Sequence, residues 1–434
     1  MRAVCILITK LALLLAFAGC ANFQRLGEDL NFLDRTVLLT GRITNAMDHR
    51  NVVVVVAEWD RDENRVLSGD YYRIEDIGVF GFFVPNSRQQ YLVAYSDADG
   101  NTLYTPGVDP AWIHSSASGE PAPVSIDRKT GRGRAEGALS KSTILPPGLV
   151  QAVRDFKGDR TDDEAASGWR IPITLGKVAD LDDPKFSSER GSAGLWEPAS
   201  FPLQSGIGIY FLERYDPKRI PVLFVYGAAG SPQDWQPFFE RLDRRKYQPW
   251  FYYYPTGRRL DEMGAALNGS VELLQARYNF PRLHVVAHSM GGLVSRSFLV
   301  QHLDAGHRYI DRFVTISTPW AGHEFASMGV KRAPSVVPSW YDLSPGSGFL
   351  DDLFDERLKG RIDHLLIYGH KATRSMVLPA ENDGTVSVAS ETAPDAAEDA
   401  VKVVGFDEDH VSILSNDEVF RLTEKHLAGK SSER

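Results

Sequence analysis

Leu283-His284-Val285-Val286-Ala287-His288-Ser289-Met290-Gly291-Gly292-Leu293 decides the reading of this chain. Leu283 to Ala287 has the length and texture of a buried strand, and Gly292 to Leu303 that of a helix. Ser289 falls between them. A sharp strand-to-helix turn there lifts the serine side chain above the sheet edge, as a nucleophile elbow requires. Its neighbours two before and two after must be small for the two backbones to approach, and they are Ala287 and Gly291. The helix N-terminus beneath Ser289 also favours negative charge developing there.

Working outward, further apolar runs flank this turn. Ile207 to Leu212, Ile220 to Tyr226, Trp250 to Tyr254, Phe313 to Ile316 and Leu365 to Tyr368 read as strands. Residues 235–243 and Leu260 to Ala276 read as helices. Continuous apolar strands alternating with helices predict a mostly parallel sheet covered by helices on both faces.

Three further motifs follow in order. Val225-Tyr226-Gly227-Ala228-Ala229-Gly230-Ser231 is a Gly-rich loop after a strand. Glu381-Asn382-Asp383-Gly384-Thr385-Val386 comes after the strand ending near Tyr368, and Asp407-Glu408-Asp409-His410-Val411-Ser412 near the end of the chain. With the elbow, these motifs make residues from about 205 to 425 resemble α/β-hydrolases of the lipase/esterase kind. The resemblance implies Ser289 as nucleophile, His410 as base and Asp383 as the acid. It implies backbone N–H donors for an oxyanion at Ala228 and Met290, and neither metal nor organic cofactor. Tyr226 stands where the family commonly has His, and Ala287 where it commonly has Gly; backbone donors survive such side-chain changes. Asp409 rivals Asp383 as the acid, but it adjoins His410 and does not easily turn back onto that ring. His288 is expected to pack or hydrogen-bond near the elbow, and His323 and His370 lie in loops outside the motifs.

The implied activity is hydrolysis of carboxylic esters, with lipid-like or acylated substrates. Two other readings stand beside it: an acyltransferase using the same residues, or a catalytically idle hydrolase fold serving as a binding or scaffold protein of the envelope. Ser317-Thr318-Pro319 and Leu343-Ser344-Pro345-Gly346-Ser347 also resemble lipase-type hydrolases. Between Ser317 and Arg361 lies an insertion carrying Trp320, Phe325, Met328, Trp340, Tyr341 and Phe349. It reads equally as a lid or acyl-binding wall and as an internally packed cap.

The N-terminal part has a different texture. Arg2 and Lys10 precede the apolar stretch Leu11 to Phe17, which is too short to span a bilayer. Phe17-Ala18-Gly19-Cys20 resembles the lipobox of bacterial lipoproteins, which implies a signal peptide over 1–19 and lipidation of Cys20. Ala21 is not Asp, so the resemblance implies an outer-membrane destination in the bacterial envelope. Residues 20–35 read as a tether. Val37 to Ile43, Val52 to Trp59, Val79 to Pro85 and Tyr91 to Tyr95 are short strands between turn signals. They predict a β-sandwich over 36–110 that weakly resembles immunoglobulin-like modules of the carboxypeptidase-regulatory type. Asp97-Ala98-Asp99-Gly100-Asn101 lacks the register of a calcium loop and reads as a turn. Residues 111–200, rich in Gly, Ser and mixed charge, read as a linker with ordered pieces, and 201–430 as the catalytic domain.

A length of 434 residues suits two or three domains, with 43% hydrophobic and 24% charged residues as in ordinary globular proteins. A net charge of -9 argues against nucleic acid as a partner, leaving an ester or lipid substrate and a membrane reached through the anchor. Two cysteines leave no thiolate zinc site and no disulfide framework.

Overall fold

A computed structural model describes residues 21–74, 78–87, 89–101, 103–127, 131–151, 169–371 and 378–429. The segment expected to be a signal peptide and Cys20 lie outside the described residues. Among the described residues no helix is long and apolar enough to cross a membrane. The chain divides into two compact units: residues 30–174 with 202–206, and the remainder.

The smaller unit holds two four-stranded sheets. The first has the order β4 (Val79–Pro85), β1 (Thr36–Ile43), β8 (Arg132–Gly137) and β7 (Ile126–Asp127). The second has the order β3 (Arg65–Arg73), β2 (Val52–Asp60), β5 (Tyr91–Ser96) and β6 (Ala111–Ile113). All pairings are antiparallel except β1 with β8. One apolar core joins the sheets through Leu39, Val54, Val56, Phe80, Phe82 and Leu92. Val53, Val55, Val93 and Tyr95 point the other way, into a second core closed by Tyr104, Leu145 and Leu149. Val52 to Ala57 is apolar at every position because both of its faces are covered.

The unit therefore runs past the boundary expected near 110, and part of the supposed linker is structural. In β8 Gly133 and Ala135 are buried while Arg134 and Glu136 face out. The inward residues are small because the neighbour is close: a β-carbon on Gly133 would lie 2.5 Å from Leu39 Cδ2. Small inward and charged outward residues give a strand the composition of a loop.

The larger unit is built on an eight-stranded sheet with the order β16-β15-β14-β13-β11-β12-β10-β9. Its strands are β9 (Ile173–Val178), β10 (Ile207–Phe211), β11 (Ile220–Val225), β12 (Tyr247–Tyr253), β13 (Leu283–His288), β14 (Ile310–Ile316), β15 (Asp363–Gly369) and β16 (Lys402–Phe406). From β12 through β16 neighbouring strands are parallel, and β10 runs antiparallel to β12. β12 and β13 are buried at every residue, as strands covered on both faces are.

This unit also reaches beyond its expected start. Residues 21–34, read as a tether, are helical, and 21–29 of them belong to this unit. Phe23 packs edge-on against Trp196 and Trp340, and Asp29 accepts from the backbone N–H groups of Ala199 at 2.6 Å and Ser200 at 2.9 Å.

Candidate active site

The elbow is as sharp as the sequence requires. Ser289 has φ 54° and ψ −134°, a conformation a non-glycine residue adopts only under constraint. Three contacts supply that constraint. The Ser289 N–H donates to Ile316 O on β14 at 2.9 Å. A β-carbon on Gly291 would lie 2.5 Å from the carbonyl oxygens of Val225 and Tyr226, so only glycine lets the helix Met290–Asp304 settle against the end of β11. A β-carbon on Gly227 would lie 2.6 Å from Ser289 Cβ, so the Gly-rich loop lies directly against the serine.

The three side chains named from the motifs meet here, each following the carboxyl end of a parallel strand. Ser289 Oγ is 2.9 Å from His410 Nε2, and His410 Nδ1 is 2.5 Å from Asp383 Oδ2. Asp383 is fully buried, with Ser289 and His410 nearly so. The other carboxylate oxygen, Asp383 Oδ1, accepts from the N–H groups of Thr385 at 2.9 Å and Val386 at 2.7 Å. Burial alone would raise the Asp383 carboxyl, but the bond to His410, its charge and the two backbone donors outweigh it and hold the group below its ordinary range. Asp383 is then an acceptor only. His410 must donate from Nδ1, which leaves the Nε2 lone pair facing the Ser289 hydroxyl.

Asp409 stays with its own turn. Its Oδ1 accepts from the N–H groups of Val411 at 3.1 Å and Ser412 at 2.8 Å. His288 donates from Nε2 to the backbone oxygen of His410 at 2.8 Å. Burial, and then the neighbouring His410 ring, lower its pKa to about 3, so His288 is a neutral brace for the histidine loop. His323 borders the Asp383–His410 pair, and burial lowers its pKa. His370 is exposed and paired through its backbone to Phe406.

The two expected oxyanion donors are backbone N–H groups. Among the described residues neither the Ala228 N–H nor the Met290 N–H has a protein hydrogen-bond partner. The loop carrying Ala228 is held by groups that the motifs do not announce. Tyr226 Oη donates to Tyr254 O at 2.8 Å and Tyr254 Oη donates to Tyr226 O at 2.7 Å, with the rings stacked. Thr256 Oγ1 accepts from the Ala229 N–H at 3.1 Å. Tyr226 thus faces its tyrosine partner on the neighbouring strand's end. The signal was present in that both tyrosines follow the last residues of adjacent parallel strands.

The insertion after β14 packs largely inward. Trp320 is 2% exposed, between Phe354 and His364. Trp340 stacks edge-on against Trp196. Asp342 is buried and binds the Arg259 guanidinium and the Leu260 N–H, which starts the helix Leu260–Tyr278. Phe325 and Tyr341 are exposed. Of the two tryptophans expected on an acyl wall, Trp320 is packed inside and Trp340 is half-buried.

Counted along the chain, the large sheet has the order 1-2-4-3-5-6-7-8, with the elbow after the fifth strand. This is an α/β-hydrolase-like fold. Residues 216–328 match the model of the PGAP1-like alpha/beta domain. A 71-residue stretch is 30% identical to phospholipase A(1) LCAT3 of Arabidopsis thaliana, and spans 16% of this chain and 16% of that relative's length. Among solved structures, the mature lipase BlEst2 of Bacillus licheniformis is similar over 48% of this chain and 92% of its own, at 22% identity and a TM-score of 0.40. Phospholipase PlaB from Legionella pneumophila is similar over 40% of this chain and 44% of its own, at 16% identity and a TM-score of 0.34.

Proposed function

We propose that this protein is a serine hydrolase of carboxylic esters acting on lipid-like or acylated substrates. The observation that carries the reading is the unbroken chain from Ser289 Oγ through His410 to Asp383, with the serine held at positive φ on a strand-to-helix turn. Ser289 Oγ attacks the ester carbonyl carbon while His410 Nε2 takes its proton. Negative charge grows on the carbonyl oxygen and is met by the N–H groups of Ala228 and Met290. As the tetrahedral intermediate collapses, His410 returns the proton to the leaving alkoxide, and an acyl-Ser289 ester remains. Water then attacks that ester through the same histidine and releases the acid. Asp383 keeps the ring in its Nδ1–H form and stabilises the imidazolium.

The lipid-like part of the proposal draws support from the name of the Arabidopsis relative, a phospholipase A(1). Turnover of a series of p-nitrophenyl esters tests the whole reading. The wild type is expected to hydrolyse them, and Ser289→Ala to fold and lose activity by on the order of 10⁴ to 10⁶. Equal turnover by the folded variant would reject the assignment.

We further propose that Cys20 carries a lipid that holds the protein to the bacterial outer membrane. The support is the apolar stretch Leu11 to Phe17 followed by Phe17-Ala18-Gly19-Cys20. Cys20→Ser should then release the protein from the membrane fraction, because each buried methylene contributes about 0.8 kcal/mol. Unmodified Cys20 in membrane-bound protein, read by mass spectrometry, would refute the anchor.

A further inference from the structure

Glu391 ends the short helix Val388–Glu391 and is fully buried. One carboxylate oxygen of Glu391, one of Asp383 and one ring nitrogen of His410 lie within 4.8 Å of one another. The end of β15 closes the same spot: a β-carbon on Gly369 would lie 3.0 Å from Asp383 Cβ and 3.5 Å from Ser317 Oγ. Both ring nitrogens of His410 are already committed, to Ser289 and to Asp383, so this cluster does not offer three free ligand atoms.

Two carboxylates this close in a buried site do not both ionise. The partners decide which one keeps the charge. Asp383 has three donors, from His410, Thr385 and Val386. Glu391 faces the Ser317 hydroxyl and the Gly369 N–H, both neutral donors, and among the described residues no salt bridge reaches it. An anion there would be buried with no cation beside it, which costs more than holding a proton. Burial, and then the charge of Asp383, push the Glu391 carboxyl up to about 10. Besides Asp383 and His410, the titratable groups facing this cluster are His323, beside both, His288, whose ring lies 4.8 Å from that of His410, and Glu324, which accepts from the Ser387 hydroxyl.

We propose that Glu391 is a protonated positioning residue whose O–H donates to the Asp383 carboxylate, so that the two carboxyls carry a single negative charge behind His410. Asp383 then has a fourth donor, which fixes its orientation toward the ring. This role rests on the hydrolase reading; the protonation of Glu391 does not.

Two variants and one spectrum test it. Glu391→Leu removes the donor and is expected to lower kcat by about ten- to a hundredfold with little change in KM. Glu391→Gln still donates through its amide and is expected to recover most of that loss. With Glu391 neutral, the acid limb of the Glu391→Gln pH profile stays where the wild type has it. Were Glu391 ionised, removing an anion beside His410 would move that limb down by about one unit or more, and this would overturn the proposal. A Gln variant as impaired as the Leu variant, with its wild-type melting temperature kept, would also overturn it. Infrared difference spectra of wild type against Glu391→Gln at neutral pH read the proton directly and need no turnover. A neutral-carboxyl C=O band present in the wild type and missing from the variant supports the proposal, and its absence from the wild type overturns it. A protein that hydrolyses no ester would reject the hydrolase reading, while the spectrum still decides the state of Glu391.

Discussion

Asp383 and His410 are joined twice: the carboxylate binds ring Nδ1 at 2.5 Å, and the His410 backbone N–H donates to the Asp383 carbonyl at 2.9 Å. The acid loop and the histidine loop are thereby fixed to each other before any substrate arrives. Asp383→Asn keeps the shape but offers an N–H where an acceptor is needed, so the ring takes the wrong tautomer. Turnover should fall by on the order of 10³ to 10⁴. Asp409→Asn loses only part of a turn's hydrogen bonding and should be far milder. Parallel kcat measurements on the two variants check this, and the reverse order would point to Asp409 as the acid.

Trp320 is buried against Phe354 and His364. Trp320→Ala should therefore act on stability, by about 3 to 5 kcal/mol. Preference among acetyl to medium-chain esters should stay as in the wild type. Melting temperature and chain-length kinetics measured together check the point; a flattened preference with unchanged melting would place Trp320 on an acyl wall after all.

Two buried histidines predict a pH dependence of folding. Burial lowers the pKa of both His288 and His364 to about 3, with His410 adding to the effect at the first and Arg296 at the second. The unfolded chain binds these protons near pH 6.5 and the folded chain does not. The stability is thus fully present above about pH 6.5 and is lost as pH falls from there toward 3, by about 1.4 kcal/mol per pH unit per group. His364→Gln, which keeps a partner for Thr315, should show a shallower loss over that window in denaturant titrations. An unchanged slope would mean that His364 does not resist protonation in the folded state.

The elbow and its partners were legible because the chemistry demands residue types in a fixed order, and glycine is imposed at Gly227 and Gly291, where a β-carbon would lie 2.5 to 2.6 Å from its neighbours. The helix over 21–34 was legible too, in the spacing of Phe23, Leu26, Leu30 and Leu33, but its polar residues disguise it as a tether. β8 hides for another reason, since its buried residues are Gly133 and Ala135 and its visible ones are charged. Glu391 carries no local signal at all. A single glutamate in a polar stretch looks like surface, and only the folding of its helix toward β15 brings it against Asp383. The tryptophans of the insertion show the limit of composition, because apolar residues near a mouth read alike whether they line a groove or pack inward.

The central claim is that Ser289 is a nucleophile activated by His410. Intact-mass and peptide mapping after treatment with a fluorophosphonate tests it most directly. The account predicts a single phosphonyl adduct on Ser289, lost in Ser289→Ala and strongly slowed in His410→Ala. A folded wild-type protein that takes up no label, or carries it on another serine, would contradict the account and leave the fold as a binding scaffold.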